Sequence, residues 1–76
     1  MLLGERMRKI REINGWTQSE VAYRINISSS AYGQIERKAG QSTYTTLCKI
    51  AYALNVSVLF LIDLENENYI QEKNKL

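Results

Sequence analysis

Proline and histidine are both missing from these 76 residues. Without proline there is no residue that breaks a helix outright, and only four glycines are present to weaken one. Without histidine, and with Cys48 as the single cysteine, neither a Cys/His zinc site nor an internal disulfide can be assembled. The chain also lacks a nucleophile set beside a base and a glycine-rich phosphate loop, and Glu65 and Glu67 stand in a polar stretch rather than a cleft. An enzyme is therefore not expected, nor a metal, a cofactor or a small-molecule ligand. The longest apolar run, residues 58–62, is too short to span a membrane. Charges recur from Glu5 through Arg11, unlike a signal peptide, so a cytoplasmic location is expected.

What is present suits one small helical domain. The apolar fraction is 45%, ordinary for a globular chain, and a chain this short must bring all its apolar faces to one cluster. The net charge is only +2, but its distribution is uneven. Residues 1–38 hold seven Lys/Arg against four Asp/Glu, while residues 39–76 hold three against four. A basic N-terminal half favours an anionic partner, though weakly.

Apolar residues Leu3, Met7 and Ile10, extended by Ile13, recur at helical spacing, with Glu5, Arg6, Arg8, Lys9 and Glu12 between them as a solvated face. Asn14-Gly15 should end this helix, because glycine accepts the left-handed C-terminal conformation, and Trp16 is expected in the core. Thr17 and Glu20 have capping-box spacing and open a second helix carrying Val21, Ala22 and Ile25. Asn26 suits the turn that follows, and Ser28 can cap a third helix. On that helix Ala31 and Ile35 share the expected core face with Tyr32 at its edge, and Ser29, Ser30, Gly33, Gln34 and Arg37 form the opposite stripe. Residues 38–42 read as a loop. Thr43 can cap a fourth helix with Leu47, Ile50, Ala51 and Leu54 buried and Cys48 as a half-buried filler. Ser57 can cap a fifth over 58–64. Residues 1–64 are thus read as the domain and 65–76 as a polar tail.

Two short helices joined by a tight turn inside a five-helix chain is a helix-turn-helix arrangement. The segments GERMRKIRE, TQSEVAYRINIS, AYGQIER and TLCKIAYALNVS, in this order and at these separations, resemble the lambda-repressor and Cro-like family, also called the XRE family, over roughly residues 3–62. The resemblance implies an all-α, five-helix lambda-repressor-like fold and a transcriptional regulator that binds double-stranded DNA. It places the first helix of the motif at 18–25 and the recognition helix at 29–37, with the latter in the major groove. Ser29, Ser30, Gly33 and Gln34 are then the base-facing residues. Gln34 is the best reader of the four, because a glutamine amide pairs bidentately with adenine. Gln18 matches the glutamine that opens the preceding helix in the family, where a phosphate is held. Ser28, besides capping, is counted with the phosphate contacts, as are Arg37, Lys38, Gln41, Ser42 and Tyr44 around the loop. The family usually has glycine where Lys38 stands and proline where Ser42 stands, so Gly40 is expected to take over the turn.

Arg11 follows Met7 by one turn and Glu36 follows Tyr32 by one turn, so each leans toward the core and should seek a partner. Family members often pair the equivalents, which implies a structural ion pair. Finally, Val-Leu-Phe-Leu-Ile over 58–62 is more apolar than one short helix can bury against its own domain. Leu59, Phe60, Ile62 and Tyr69 are therefore assigned to a homodimer interface, which would set two recognition helices on a roughly palindromic operator; the alternative for Leu59 and Phe60 is that they fold against the tail of their own chain. The alternative is a protein-interaction module of the same fold, an antitoxin or an antagonist of another regulator, with weak DNA binding.

Overall fold

The computed structural model describes residues 1–70. Five helices follow one another, α1 (Leu3–Ile13), α2 (Gln18–Arg24), α3 (Ser29–Arg37), α4 (Tyr44–Ala53) and α5 (Val58–Ile62), with a 3₁₀ turn at Ala39–Gln41. Among the described residues there is no strand, and no helix is long and apolar enough to cross a membrane. The domain is an all-α, lambda-repressor-like bundle.

Short polar side chains start α2 to α5. Thr17 accepts from the amide of Glu20, whose carboxylate accepts from the amide of Thr17 at 2.7 Å. Ser28, Thr43 and Ser57 accept from the amides of Ala31, Thr46 and Phe60. Each bond satisfies one donor that a helix N-terminus leaves over.

Three helices end in the same way. Gly15, Asn26 and Asn55 have φ of 73°, 59° and 62°, a region that glycine and asparagine tolerate. The residue after each, Trp16, Ile27 and Val56, sends its amide back to the carbonyl of Arg11, Ala22 and Ala51 respectively. All three of these residues also pack on the core, as in a Schellman ending.

The core consists of Met7 and Ile10 from α1, Val21 and Ala22 from α2, Tyr32 from α3, Ala39, Ile50, Ala51, Ala53 and Leu54 around α4, and Leu61 from α5. Several expectations are corrected here. Ile13 is 54% exposed, because α1 runs past the end of the core. Trp16 is half-buried rather than enclosed, its ring covered by the guanidinium of Arg24 at 4.1 Å. On α3 the buried stripe is Tyr32, Gly33 and Glu36, with Ile35 half-buried and Ala31 exposed. The helix is turned by one residue, about 100°, from the expected face. A tyrosine ring has far more apolar surface to remove from water than an alanine methyl, and Glu36 is drawn inward by its partner. The segment after α3 is not plain loop: Ala39 is buried, and Gly40 has no positive φ, so a 3₁₀ turn makes the reversal.

The largest departure is Arg6, expected on the solvated face of α1 but fully buried. Its Nε donates to the carbonyl of Phe60 at 2.8 Å, Nη1 to that of Asn66 and Nη2 to that of Asn68 at 3.4 Å. The rings of Phe60 and Tyr69 flank the guanidinium at 4.6 and 5.5 Å. Burial lowers the pKa of Arg6, while the charge of Asp63 acts the other way. Part of the expected tail is thus strapped to α1, and residues 71–76 of it lie outside the described residues.

Candidate nucleic-acid interface

α2 and α3 are joined by the turn through Asn26 and pack closely on one another, and α3 also packs on α1. Both contacts converge on Glu36. Arg11 Nε donates to Glu36 Oε2 at 2.8 Å and Arg11 Nη2 to Oε1 at 3.3 Å. Gln18 Nε2 donates to the same Oε1 at 3.1 Å, and Arg11 Nη1 reaches the carbonyl of Trp16 at 3.0 Å. One carboxylate on α3 therefore ties down α1 and the first residue of α2 together. The hydrogen bond that Arg11 donates to Glu36 is the main cause of its raised pKa. Tyr32 lies beneath the pair. Burial, and then the nearby Glu36 carboxylate, push its phenol far above the ordinary value, and among the described residues its hydroxyl makes no hydrogen bond of normal geometry.

Held from behind in this way, α3 shows its other side to solvent. Ser29, Ser30, Gln34 and Arg37 are exposed, and so is Ala31. Gly33 was placed on this open face, but it is buried. A Cβ built on Gly33 would lie 3.3 Å from Gln18 Oε1 and 3.5 Å from Arg37 Nη1, so these two side chains cover it. Gly33 thus gives Gln18 a path to Glu36 and is covered where a base reader would have to be open. The side-chain amide of Gln18, which is half-buried, gives one of its two N–H donors to Glu36.

The other expected backbone contacts lie at the start of α3 and around its end. Ser28 caps the helix and is exposed. Arg37, Lys38, Gln41 and Tyr44 are exposed, and Ser42 is half-buried. A hydrogen bond with Cys48 raises the pKa of the Tyr44 phenol. At the far end of the molecule, Leu59 is 78% and Ile62 42% exposed on α5. Phe60 and Tyr69, grouped with them at the sequence level, instead enclose Arg6 of their own chain.

A model described as helix-turn-helix matches residues 7–61 of this chain. The chain belongs to the XRE-type helix-turn-helix family. Antitoxin HipB of Escherichia coli is 38% identical over 64 residues, which cover 84% of this chain and 72% of HipB. Control protein C.SmaI of Serratia marcescens is 36% identical over 69 residues, covering 87% and 82%. The HTH-type transcriptional regulator ImmR of Bacillus subtilis is 31% identical over 75 residues, or 99% of this chain and 57% of ImmR. No solved structure gives a significant match. As an XRE-type protein, the chain is one of a family of DNA-binding transcriptional regulators. Neither Arg6 nor the covering of Gly33 was foreseen. The partners of Arg6 are main-chain carbonyls, which leave no mark in a sequence, whereas the pairing of Gln18 with Glu36 follows from helix positions once the register of α3 is known.

Proposed function

We propose that the protein regulates transcription by sequence-specific binding of duplex DNA, with α3 in the major groove. The observation that carries this reading is the contrast between the two sides of α3. Arg11 and Gln18 fasten Glu36 at the back, while Ser29, Ser30 and Gln34 stand open at the front. Rigid support behind a polar face is what base readout needs, since each base edge is read by hydrogen bonds of fixed geometry. Ser28, Arg37, Lys38, Gln41, Ser42 and Tyr44, with the backbone at Gln18, would hold phosphates and set the register. Serines bond to many base edges, so Gln34 carries most of the discrimination.

The proposed active form is a homodimer on a roughly palindromic operator, with half-sites about 34 Å apart. Its support is the apolar surface left open by Leu59 and Ile62 on α5. A gel shift with DNA from upstream of the protein's own gene tests the reading. Gln34→Ala should cost roughly 1–3 kcal/mol at the specific site and relax one base position. Unchanged specific binding by this variant at matched salt would remove α3 as the reader.

A second reading, a protein-interaction module with weak DNA binding, is favoured by a different surface. Tyr23 and Tyr52 are 86% and 75% exposed beside Arg24, and tyrosine and arginine are the residues on which protein interfaces concentrate their energy. The similarity to an antitoxin fits this alternative. Replacing both tyrosines by alanine should leave DNA binding intact, and loss of regulation in cells by that variant would favour the second reading.

A further inference from the structure

A cleft of about 590 Å³ lies between α1 and the segment that follows α3. Arg8 and Arg11 stand on the α1 side, Arg37 and Lys38 on the other, and Gln41 at the 3₁₀ turn. The two carboxylates within it, Glu5 and Glu36, are both engaged. Glu5 accepts from the amide of Leu2, and Glu36 takes Arg11 and Gln18. Arg8 by contrast has only a loose contact with Glu12, at 4.0 Å between side chains more than half exposed. Solvent screens such a pair and it restrains Arg8 little. Gly40 leaves open space where a side chain would reach into the cleft. Among the described residues, Arg37 and Lys38 have no ion pair and Arg8 only its loose one, so the trough holds three lightly engaged cations against the one exposed carboxylate of Glu5, which is drawn to the start of α1.

Arg37 and Lys38 follow Gln34 directly along α3 and its end, so the trough continues the proposed reading face. We infer that α1 is part of the DNA-binding surface, and that Arg8 holds a backbone phosphate across the cleft from Arg37 and Lys38. This rests on the reading of the protein as a duplex-DNA binder and extends it to a helix outside the helix-turn-helix. The occupant is duplex DNA because Arg37 and Lys38, which line the cleft, follow Gln34 of the proposed reading face directly in the chain, and Arg8 brings α1 to the same cleft. A contact of this kind positions the protein and carries no base preference.

The test is binding of the full-length protein to a mixed-sequence duplex of about 30 base pairs over a range of salt concentrations. Arg8→Gln should flatten the slope of log K against log salt by about 0.9, which is roughly an eightfold loss near 0.1 M salt. The loss should be similar for the mixed duplex and for upstream DNA. Lys9→Gln, on the same helix but not in the trough, should change neither slope nor affinity. An Arg8→Gln variant with wild-type slope and affinity would overturn the inference and leave the reading of α3 standing. An equal change in Lys9→Gln would also overturn it, since only the net charge would then matter. If the wild-type protein binds neither duplex at low salt, the DNA reading fails and the inference with it.

Discussion

Arg11 and Glu36 meet as two parallel donors and two acceptors, with Nε on Oε2 at 2.8 Å and Nη2 on Oε1 at 3.3 Å. The carboxylate is 7% and the guanidinium 11% exposed. Charges this dry depend on each other, because removing one leaves the other buried without compensation. Glu36→Ala should therefore cost about 3–5 kcal/mol, a large part of the stability of so small a domain. Urea unfolding followed by circular dichroism measures it, and an unchanged midpoint would contradict the structural role. Glu36→Gln should cost less, since it keeps an acceptor for Gln18.

The two helical glycines nearest this pair should differ in how well they tolerate alanine. A Cβ at Gly4 would overlap the main-chain carbonyl of Glu36, and backbone cannot swing aside. Gly4→Ala should destabilise by roughly 1–3 kcal/mol from overpacking, beyond the gain of about 1 kcal/mol in helix propensity. At Gly33 the nearest atoms are the ends of the Gln18 and Arg37 side chains, which can shift. Gly33→Ala should change stability by less than about 1 kcal/mol, since propensity offsets the crowding. Thermal melts of the two variants side by side check the contrast.

The buried Tyr32 phenol should give the protein an alkaline limit. Its folded pKa is raised above the ordinary value of 10.0, so in strong alkali the folded state keeps a proton that the unfolded state has released. The stabilisation is complete below pH 10 and is lost as the pH climbs beyond it. Tyr32→Phe should remove this fall. At neutral pH it should change stability by less than about 1 kcal/mol, because the hydroxyl it deletes makes no hydrogen bond of normal geometry among the described residues. Chemical denaturation across the alkaline range gives both numbers.

Replacing Arg6 by lysine should be far from conservative. The guanidinium serves three carbonyls and two ring faces at once, and an ammonium on a flexible stem does not reproduce that planar fork. A loss of about 2 kcal/mol or more is expected, from hydrogen bonds to a charged group. Faster amide exchange at Asn68 and Ile70 should accompany it, because their amides lie in the strap. Wild-type exchange rates in that segment would show that Arg6 does not hold it.

Leu59→Lys and Phe60→Lys should separate two kinds of apolar residue on α5. Leu59 is 78% exposed, so its lysine variant should fold normally and, if α5 is the interface, stay monomeric in sedimentation at concentrations where wild type associates. Phe60 lies against Arg6, and a second cation there should unfold or greatly weaken the domain.

The fold was legible where local chemistry decides it. Thr17, Ser28, Thr43 and Ser57 cap helices, and Gly15, Asn26 and Asn55 end them, because short-range hydrogen bonds and allowed φ angles depend on few neighbours. The register of α3 was not legible. Ala31 and Ile35 imitate an apolar pair one turn apart, while Glu36 interrupts the stripe that is in fact buried. Burial of Glu36 depends on Arg11, twenty-five residues earlier, and hydrophobic periodicity contains no such pairing. The same cause hid the cover over Gly33. The excess of apolar residues on α5 was visible, but one of them, Phe60, is spent together with Tyr69 on a cation at the other end of the chain.

The strap over Arg6 also sets an order of events in the life of the chain. Its donors come from residue 6 and its last acceptor from residue 68, a separation of 62 residues. At a synthesis rate of about 5–20 residues per second, roughly 3–12 s pass between making the two. During that interval the helix-turn-helix can form from contacts that are close in sequence, and such low-contact-order packing is fast. The arginine meanwhile stays hydrated, and closing it in is the step that must wait for translation. A chain truncated before residue 66 and freed from the ribosome should therefore already hold α2 against α3 while the first helix is still docked incompletely.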